Sequence, residues 1–377
     1  MSVKAGMVVT TIYDLEVMES YFDNFLKNGR LDQVQVFVIP DRKTPKQAYE
    51  RCRDLHQRGM DICCPAIEEQ EDFLTKVGFP PSLIPYDSDN RRNVGFLMAL
   101  ERGVDFVISI DDDNFCSLSE DFFSEHMVVC RNDFESTVVS SPNNWFNICS
   151  LIRVNHECPI YPRGFPYYAR HIQTEFTLRQ SQVQVHINEG LWLGDPDLDA
   201  ITWLVLPTRA LEFKGVSLVL DRNTWSPINT QNTALRREAV AAYYFVKMGY
   251  PLAGMPNIDR YGDIFSGYFV QACAKHLGGS IRVGSPILEH RRNTHHYLRD
   301  AMQEWACIIV LEDLIPAIME LRLEGSTYPE VYTSLSYALE ETVERMKGSI
   351  WTDATRGYFH QVAYYMRLWA KVAAQFL

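Results

Sequence analysis

The stretch VDFVISIDDDNF, residues 104–115, sets a mostly apolar run directly against three consecutive aspartates, Asp111, Asp112 and Asp113. Five of the seven residues before the aspartates are apolar, which reads as a buried strand. Three adjacent carboxylates repel one another, so one must hold a proton or the group must meet a cation. A divalent ion, Mn2+ or Mg2+, takes carboxylate oxygens and keeps positions for phosphate. A strand that ends in a solvated acidic turn, with Asp113 or Asn114 capping the next segment, accounts for the same residues. On this stretch alone the two readings stand level.

The preceding residues favour the first. GMVVTTI (6–12), VQVFVIP (34–40), MDICCPA (60–66) and VDFVISI (104–110) read as strands. Helical patterns separate them at 14–30, 45–59, 68–79 and 89–103. In the first helix Leu15, Met18, Tyr21, Phe22 and Phe25 share a face, and Gly29 stops it. This rhythm predicts a parallel α/β sheet with right-handed crossovers. Ligands of such sheets bind beyond the carboxyl ends of strands, where the three aspartates stand.

Beyond about residue 130 the alternation fails. STVVSSP (136–142), QVQVHI (182–187), FKGVSLVL (213–220) and SIRVGSPI (280–287) read as strands, and residues 150–173 as a loop rich in proline and aromatics. TALRREAVAAYYFVKMG (233–249) is expected to be a helix ending at Gly249, and 298–377 to be mostly helical. The expected organisation is a domain over 1–297, with a nucleotide-binding half (1–130) and an acceptor half (131–297), then a helical extension over 298–377.

The chain has 377 residues, 46 % of them hydrophobic, which supports a substantial core. A net charge of −12 argues against a general nucleic-acid binder. Nine cysteines without a C-x-x-C pair suit reduced thiols and a cytoplasmic protein. No apolar run reaches the length of a membrane span.

Several constellations could carry chemistry. Arg91 and Arg92, on the helix before the aspartates, could grip diphosphate oxygens, or form a solvated helix face. Asp263, among glycines and aromatics in RYGDIFSG (260–267), could act as a base or hold a sugar hydroxyl, or cap a helix. His290 could be a metal ligand or an ordinary hydrogen-bonded histidine, while His295 and His296 read as exposed. Arg163 and Arg170 lie among aromatics, as a positive wall beside a diphosphate or as stacked packing. Asp195, Asp197 and Asp199 read as caps of a helix starting near Pro196.

Taken in order, ISIDDDNF, RGFPYYAR (163–170), GLWLGDPDLDA (190–200), NTALRREAV (232–240), RYGDIFSGY (260–268), ILEHRRN (287–293) and LEDLIP (311–316) resemble motifs of one family. It is that of the reversibly glycosylated polypeptides, which include the UDP-arabinopyranose mutases. The resemblance runs from about residue 7 to residue 316. It implies a GT-A glycosyltransferase fold, Rossmann-like, with a mixed sheet flanked by helices. It further implies a metal-dependent, inverting transferase using a nucleoside-diphosphate sugar, a UDP-sugar by family preference. Asp111 and Asp113 would hold Mn2+ or Mg2+ and the diphosphate, with His290 as a late metal ligand. Thr11, Arg91, Arg92, Asp112, Arg163, Trp192 and Asp197 join them as expected donor-site residues. Asp263 falls where inverting enzymes place their catalytic carboxylate. Arg170 matches the arginine that becomes glycosylated in the mutases.

The chain departs from the family pattern R-Y-D-D at Gly262, where one carboxylate is lost. Tyr168 and Ala169 replace the family's serine and leucine before the second arginine, and residues 40–90 show little similarity to plant members. A mutase or self-glycosylating protein acting through Arg170, and a non-catalytic scaffold of a glycosylation complex, are therefore the alternatives to a transferase. The acceptor and the oligomeric state, a homo-oligomer included, stay open.

Overall fold

The computed structural model describes residues 2–170, 172 and 175–377. Strands β1 (Ala5–Thr11), β2 (Val34–Pro40), β3 (Asp61–Cys63) and β4 (Phe106–Ile110) are parallel and lie in the order β3-β2-β1-β4. The crossovers run through α1 (Val17–Asn28), α2 (Lys46–Gln57), α3 (Ile67–Val77) and α4 (Arg92–Glu101). Helix α1 forms as its pattern dictates: Val17, Met18, Tyr21, Phe22 and Phe25 are buried, and Gly29 closes it with φ +65°.

The second half contributes β5 (Phe134–Ser140), β6 (Thr177–Val183), β7 (Val185–Gly194), β8 (Leu218–Leu220), β9 (Asn232–Arg236) and β10 (Ser280–His290). The sheet runs β3-β2-β1-β4-β9-β7-β10-β8-β5-β6, with three short strands attached at its side. Strand β9 is antiparallel to both β4 and β7, and β10 is parallel to β7. Two antiparallel steps restore direction, so the carboxyl ends of β1, β2, β4, β7 and β10 share one edge. One apolar cluster covers the α1/α2 face and the other lies under α3, α4 and the later helices.

Helix α5 (Ala200–Val205) is short, whereas α6 (Gly262–His276) is buried from Gly262 to Lys275 and runs through the core. The chain ends in α7 (Tyr297–Met319), α8 (Tyr328–Arg345) and α9 (Asp353–Ala373), the expected helical extension. Among the described residues no helix is long and apolar enough to cross a membrane. All nine cysteines are free thiols.

Several expected elements are corrected. The helix over 233–249 does not form: its start is β9, followed by a 3-10 turn over Arg237–Ala242. Ala239 to Val246 are buried on all sides, so no polar face existed to phase a helix, and sheet pairing on both edges of β9 overrides propensity. The run 182–187 is the β6–β7 corner rather than one strand. Residues 213–220 divide at Gly215 between a short strand Ala210–Phe213 and β8. The helix placed near Pro196 starts at Ala200, capped by Asp199, which accepts from Thr202 N–H at 2.8 Å.

Candidate active site

The shared strand edge opens into a cleft of about 450 Å³. Its floor carries the three aspartates, and each has a different partner. Asp111 accepts from Arg92 Nη2 at 2.6 Å. Asp112 accepts from Thr11 Oγ1 at 2.6 Å. Asp113 faces His290 Nε2 at 3.3 Å and accepts from the side-chain amides of Asn114 and Asn293. Burial pushes Asp111 up to about 6, with Arg92 opposing, and Asp112 up to about 7, with the Thr11 hydrogen bond opposing. Burial also acts on Asp113, but the hydrogen bond and charge of His290 outweigh it and hold its carboxyl below the usual range. His290 is raised in return: burial lowers it, and Asp113 more than compensates. The crowding is thus relieved by a guanidinium, a hydroxyl and an imidazole in turn.

Arg91 and Arg92 are both buried, so neither sits on a solvated face. Arg92 Nη1 donates to Ser109 Oγ, Ile110 O and Thr230 O, while Nη2 donates to Thr10 Oγ1 and Asp111. Unlike the expected diphosphate grip, Arg92 braces the aspartate strand from within, with both outer nitrogens engaged by the protein. Arg91 lines the cleft, bonds Gln70 through Nη2 and stacks on Tyr86 at 4.7 Å.

The far wall is a charged cluster around Arg163. Its Nε donates to Asp197 at 3.0 Å, its Nη1 to Arg260 O at 2.7 Å and Asp263 Oδ1 at 3.1 Å, and its Nη2 to Asp263 Oδ2 at 2.5 Å. Burial alone would lower the guanidinium, but the two carboxylates hold it well above its ordinary range. Asp197 is held below the usual carboxylate range because Arg163 outweighs its burial, and it also accepts from Asn229 Nδ2 at 3.0 Å. Asp263 sits in the first turn of α6 rather than capping it. Both its oxygens are engaged by Arg163, unlike the open base expected from sequence.

Two expected residues lie elsewhere. Trp192 is 1 % exposed, packed in the core, and does not line the cleft. Arg170 is also outside it: Nη2 donates to Asp199 at 2.6 Å, and the guanidinium stacks on Tyr167 at 3.7 Å. The arginine of RGFPYYAR that faces the cleft is Arg163. Sequence reasoning missed Arg292, which lines the cleft between Trp203 and Tyr297. Its Nη1 is buried without a partner, and among the described residues it forms no ion pair. The only signal was spacing: Arg292 stands two residues after His290, whereas Arg291 is exposed and pairs with Glu289.

A family model described as reversibly glycosylated polypeptide matches residues 43–376. The chain belongs to that family. The chain is 28 % identical over 304 residues to the probable UDP-arabinopyranose mutase 4 of Arabidopsis thaliana, covering 80 % of this chain and 75 % of that one. UDP-arabinopyranose mutase 2 of the same plant is 25 % identical over 344 residues, 90 % of this chain and 85 % of that one. Among solved structures, glucosyl-3-phosphoglycerate synthase from Mycobacterium tuberculosis in complex with Mn2+ and UDP-glucose aligns with a TM-score of 0.41 and 11 % identity, over 82 % of this chain and 79 % of that chain. Gly262 leaves no room for a side chain in this protein. A Cβ there would lie 2.4 Å from Val246 O and 2.7 Å from the Phe245 ring.

Proposed function

We propose that this chain binds a UDP-sugar in the cleft and changes the ring form of its sugar through a covalent adduct on Arg163. The observation that carries the reading is the placement of Arg163, the cleft-facing arginine of the family segment, with a carboxylate on its outer nitrogen. The names of its relatives support the same class of reaction. In the forward step Asp263 Oδ2 takes a proton from Arg163 Nη2 as that nitrogen bonds to the anomeric carbon. The carbon–oxygen bond to the diphosphate breaks, and its electron pair leaves on the β-phosphate of UDP. On the adduct the bond between ring oxygen and anomeric carbon opens as the Arg163 nitrogen forms a C=N bond, and Asp263 gives its proton to the ring oxygen. A different sugar hydroxyl then closes on the anomeric carbon and returns its proton to Asp263. Attack by the β-phosphate oxygen of UDP breaks the bond to Arg163 Nη2, which takes that proton back. The raised pKa of Arg163 means that its proton must leave together with bond formation, which the 2.5 Å contact permits.

Asp113 and His290 fit a divalent ion. They present an oxygen and a nitrogen 3.3 Å apart, beside a carboxylate raised to about 7. Among the described residues no three His, Cys, Asp or Glu side chains converge tightly enough to hold an ion unaided. Diphosphate oxygens would complete the set, as Mg2+ and Mn2+ commonly require. When bound, the ion would neutralise the departing diphosphate. Arg292 and Asn293 would bind the same diphosphate from the protein side, the role that sequence assigned to Arg91 and Arg92.

Intact-mass and peptide analysis after incubation with UDP-arabinopyranose or UDP-glucose tests the reading. One added pentose or hexose should map to Arg163, and Arg163→Lys should lose both the adduct and ring-form exchange. An adduct mapped to Arg170 would refute the assignment. Transfer to a free acceptor with no adduct would restore the transferase reading, with Asp263 released from Arg163 to serve as base.

A further inference from the structure

The two edges of the sheet are treated unequally. At one end β3 is only three residues long and is followed by Pro65, which blunts it. At the other end β6 has seven residues, pairs with β5 along its whole length without a bulge, and among the described residues has no strand on its far side. Five of its seven residues are exposed, and Leu178 is 54 % exposed. It carries no proline, no lysine and no acidic residue. Its one charge, Arg179, is neutralised at 2.8 Å by Asp221 of its own chain. A long, unbroken edge without these protections is a template for another strand.

We propose that β6 is a dimerisation edge, pairing with β6 of a second copy in antiparallel register about a two-fold axis through Gln180. The strand sequence TLRQSQV suits itself as a partner. Centring the axis on Gln180 uses all seven residues and sets Arg179 opposite Ser181, Leu178 opposite Gln182 and Thr177 opposite Val183 of the copy. No like charges meet, and each Arg179 keeps its own Asp221. The β-branched ends face each other, and Leu178 is covered by the aliphatic part of a glutamine. A two-fold contact of this kind closes on itself, so association stops at the dimer and yields one continuous sheet through both subunits. The cleft lies at the carboxyl edges of central strands, so pairing leaves it open, and the proposal is independent of the chemistry assigned to Arg163.

Light scattering on a sizing column, with protein at tens of micromolar, tests it. The wild-type chain should run at twice its 43.5 kDa mass. Gln180→Lys places two lysines face to face on the axis and should run at the single-chain mass with an unchanged far-UV circular dichroism spectrum at 25 °C. Gln180→Thr, a better strand former, should keep the dimer. A wild type at single-chain mass throughout would overturn the proposal. So would a Gln180→Lys variant that stays dimeric, or a wild type that associates only with a different protein.

Discussion

Replacing Gly262 by alanine should destabilise this protein strongly, although alanine is the better helix former and the position lies in the first turn of α6. The added Cβ would lie 2.4 Å from Val246 O and 2.7 Å from a ring carbon of Phe245. Neither neighbour can retreat easily. Val246 N–H is tied to Ser266 Oγ at 3.1 Å, and Phe245 N–H and C=O are both held by the Asn93 side chain. An overlap of this size against backbone costs about 3 kcal/mol, the upper end of ordinary overpacking. With roughly 2.1 cal/mol/K of unfolding entropy per residue, a chain of this length should melt about 4 °C lower. Aspartate, the residue of the family pattern, should cost more, because it adds a carboxylate to the same overlap. Gly357→Ala is the control: it lies within α9, its nearest new neighbour would be Tyr250 Oη at 3.8 Å, and it should raise stability by about 1 kcal/mol. Differential scanning fluorimetry of the three variants reads the outcome. A Gly262→Ala protein melting within a degree of wild type would refute the steric reasoning.

Arg92→Met should cost about 3–5 kcal/mol in chemical denaturation, since it strands Asp111 and three buried oxygens. Burial holds His126 down at about 3, with its bond to Asn232 opposing, so the folded state binds no proton there while the unfolded state does. Its contribution is therefore complete above pH 6.5 and is lost as pH falls toward 3; His126→Gln should flatten the stability–pH slope in that window by up to about 1.4 kcal/mol per pH unit. UDP with Mn2+ at about 100 times its dissociation constant should add about 2.7 kcal/mol to the folded state, and Asp113→Asn or a chelator should remove most of the thermal shift. Arg292→Ala should weaken UDP binding about tenfold by calorimetry, a loss of about 1.4 kcal/mol, with the melting temperature of the free protein nearly unchanged.

In the parallel half α1, α2 and α3 were legible because each is half-buried and so carries a period, while the buried strands β1 and β4 read as short apolar runs. Leu15 to Phe25 mark one helix face, and Gly29, Gly59 and Gly103 mark stops that the backbone uses at positive φ. The segment 233–249 was illegible because the core surrounds it: a chain buried on every side has no pattern to read. At the site, the residue types and the strand edge were readable, including Asp113 with His290 and the presence of Arg163, Asp197 and Asp263. Side-chain direction was not. Trp192 and Arg170 belong to recognisable motifs yet point into packing, and Arg92 spends its charge inside the protein. Those facts depend on Asp199, Tyr167, Ser109 and Thr230, which are distant in sequence from the arginines they hold, except for Tyr167.

Strand β9 joins two halves of the sheet that the ribosome makes at different times. Until residue 236 has emerged, β4 stands at an open edge with the aspartates at its tip, and Arg92 lacks the Thr230 carbonyl. The finishing contact comes later still, when Arg237, just after β9, donates to Phe376 O beside the final residue. The cleft itself draws residues from Thr10 to His295, so it is assembled only after the second half of the sheet has been made. A chain arrested before His290 would carry the aspartates without the imidazole that faces Asp113, so that carboxylate waits for its main partner until late in synthesis.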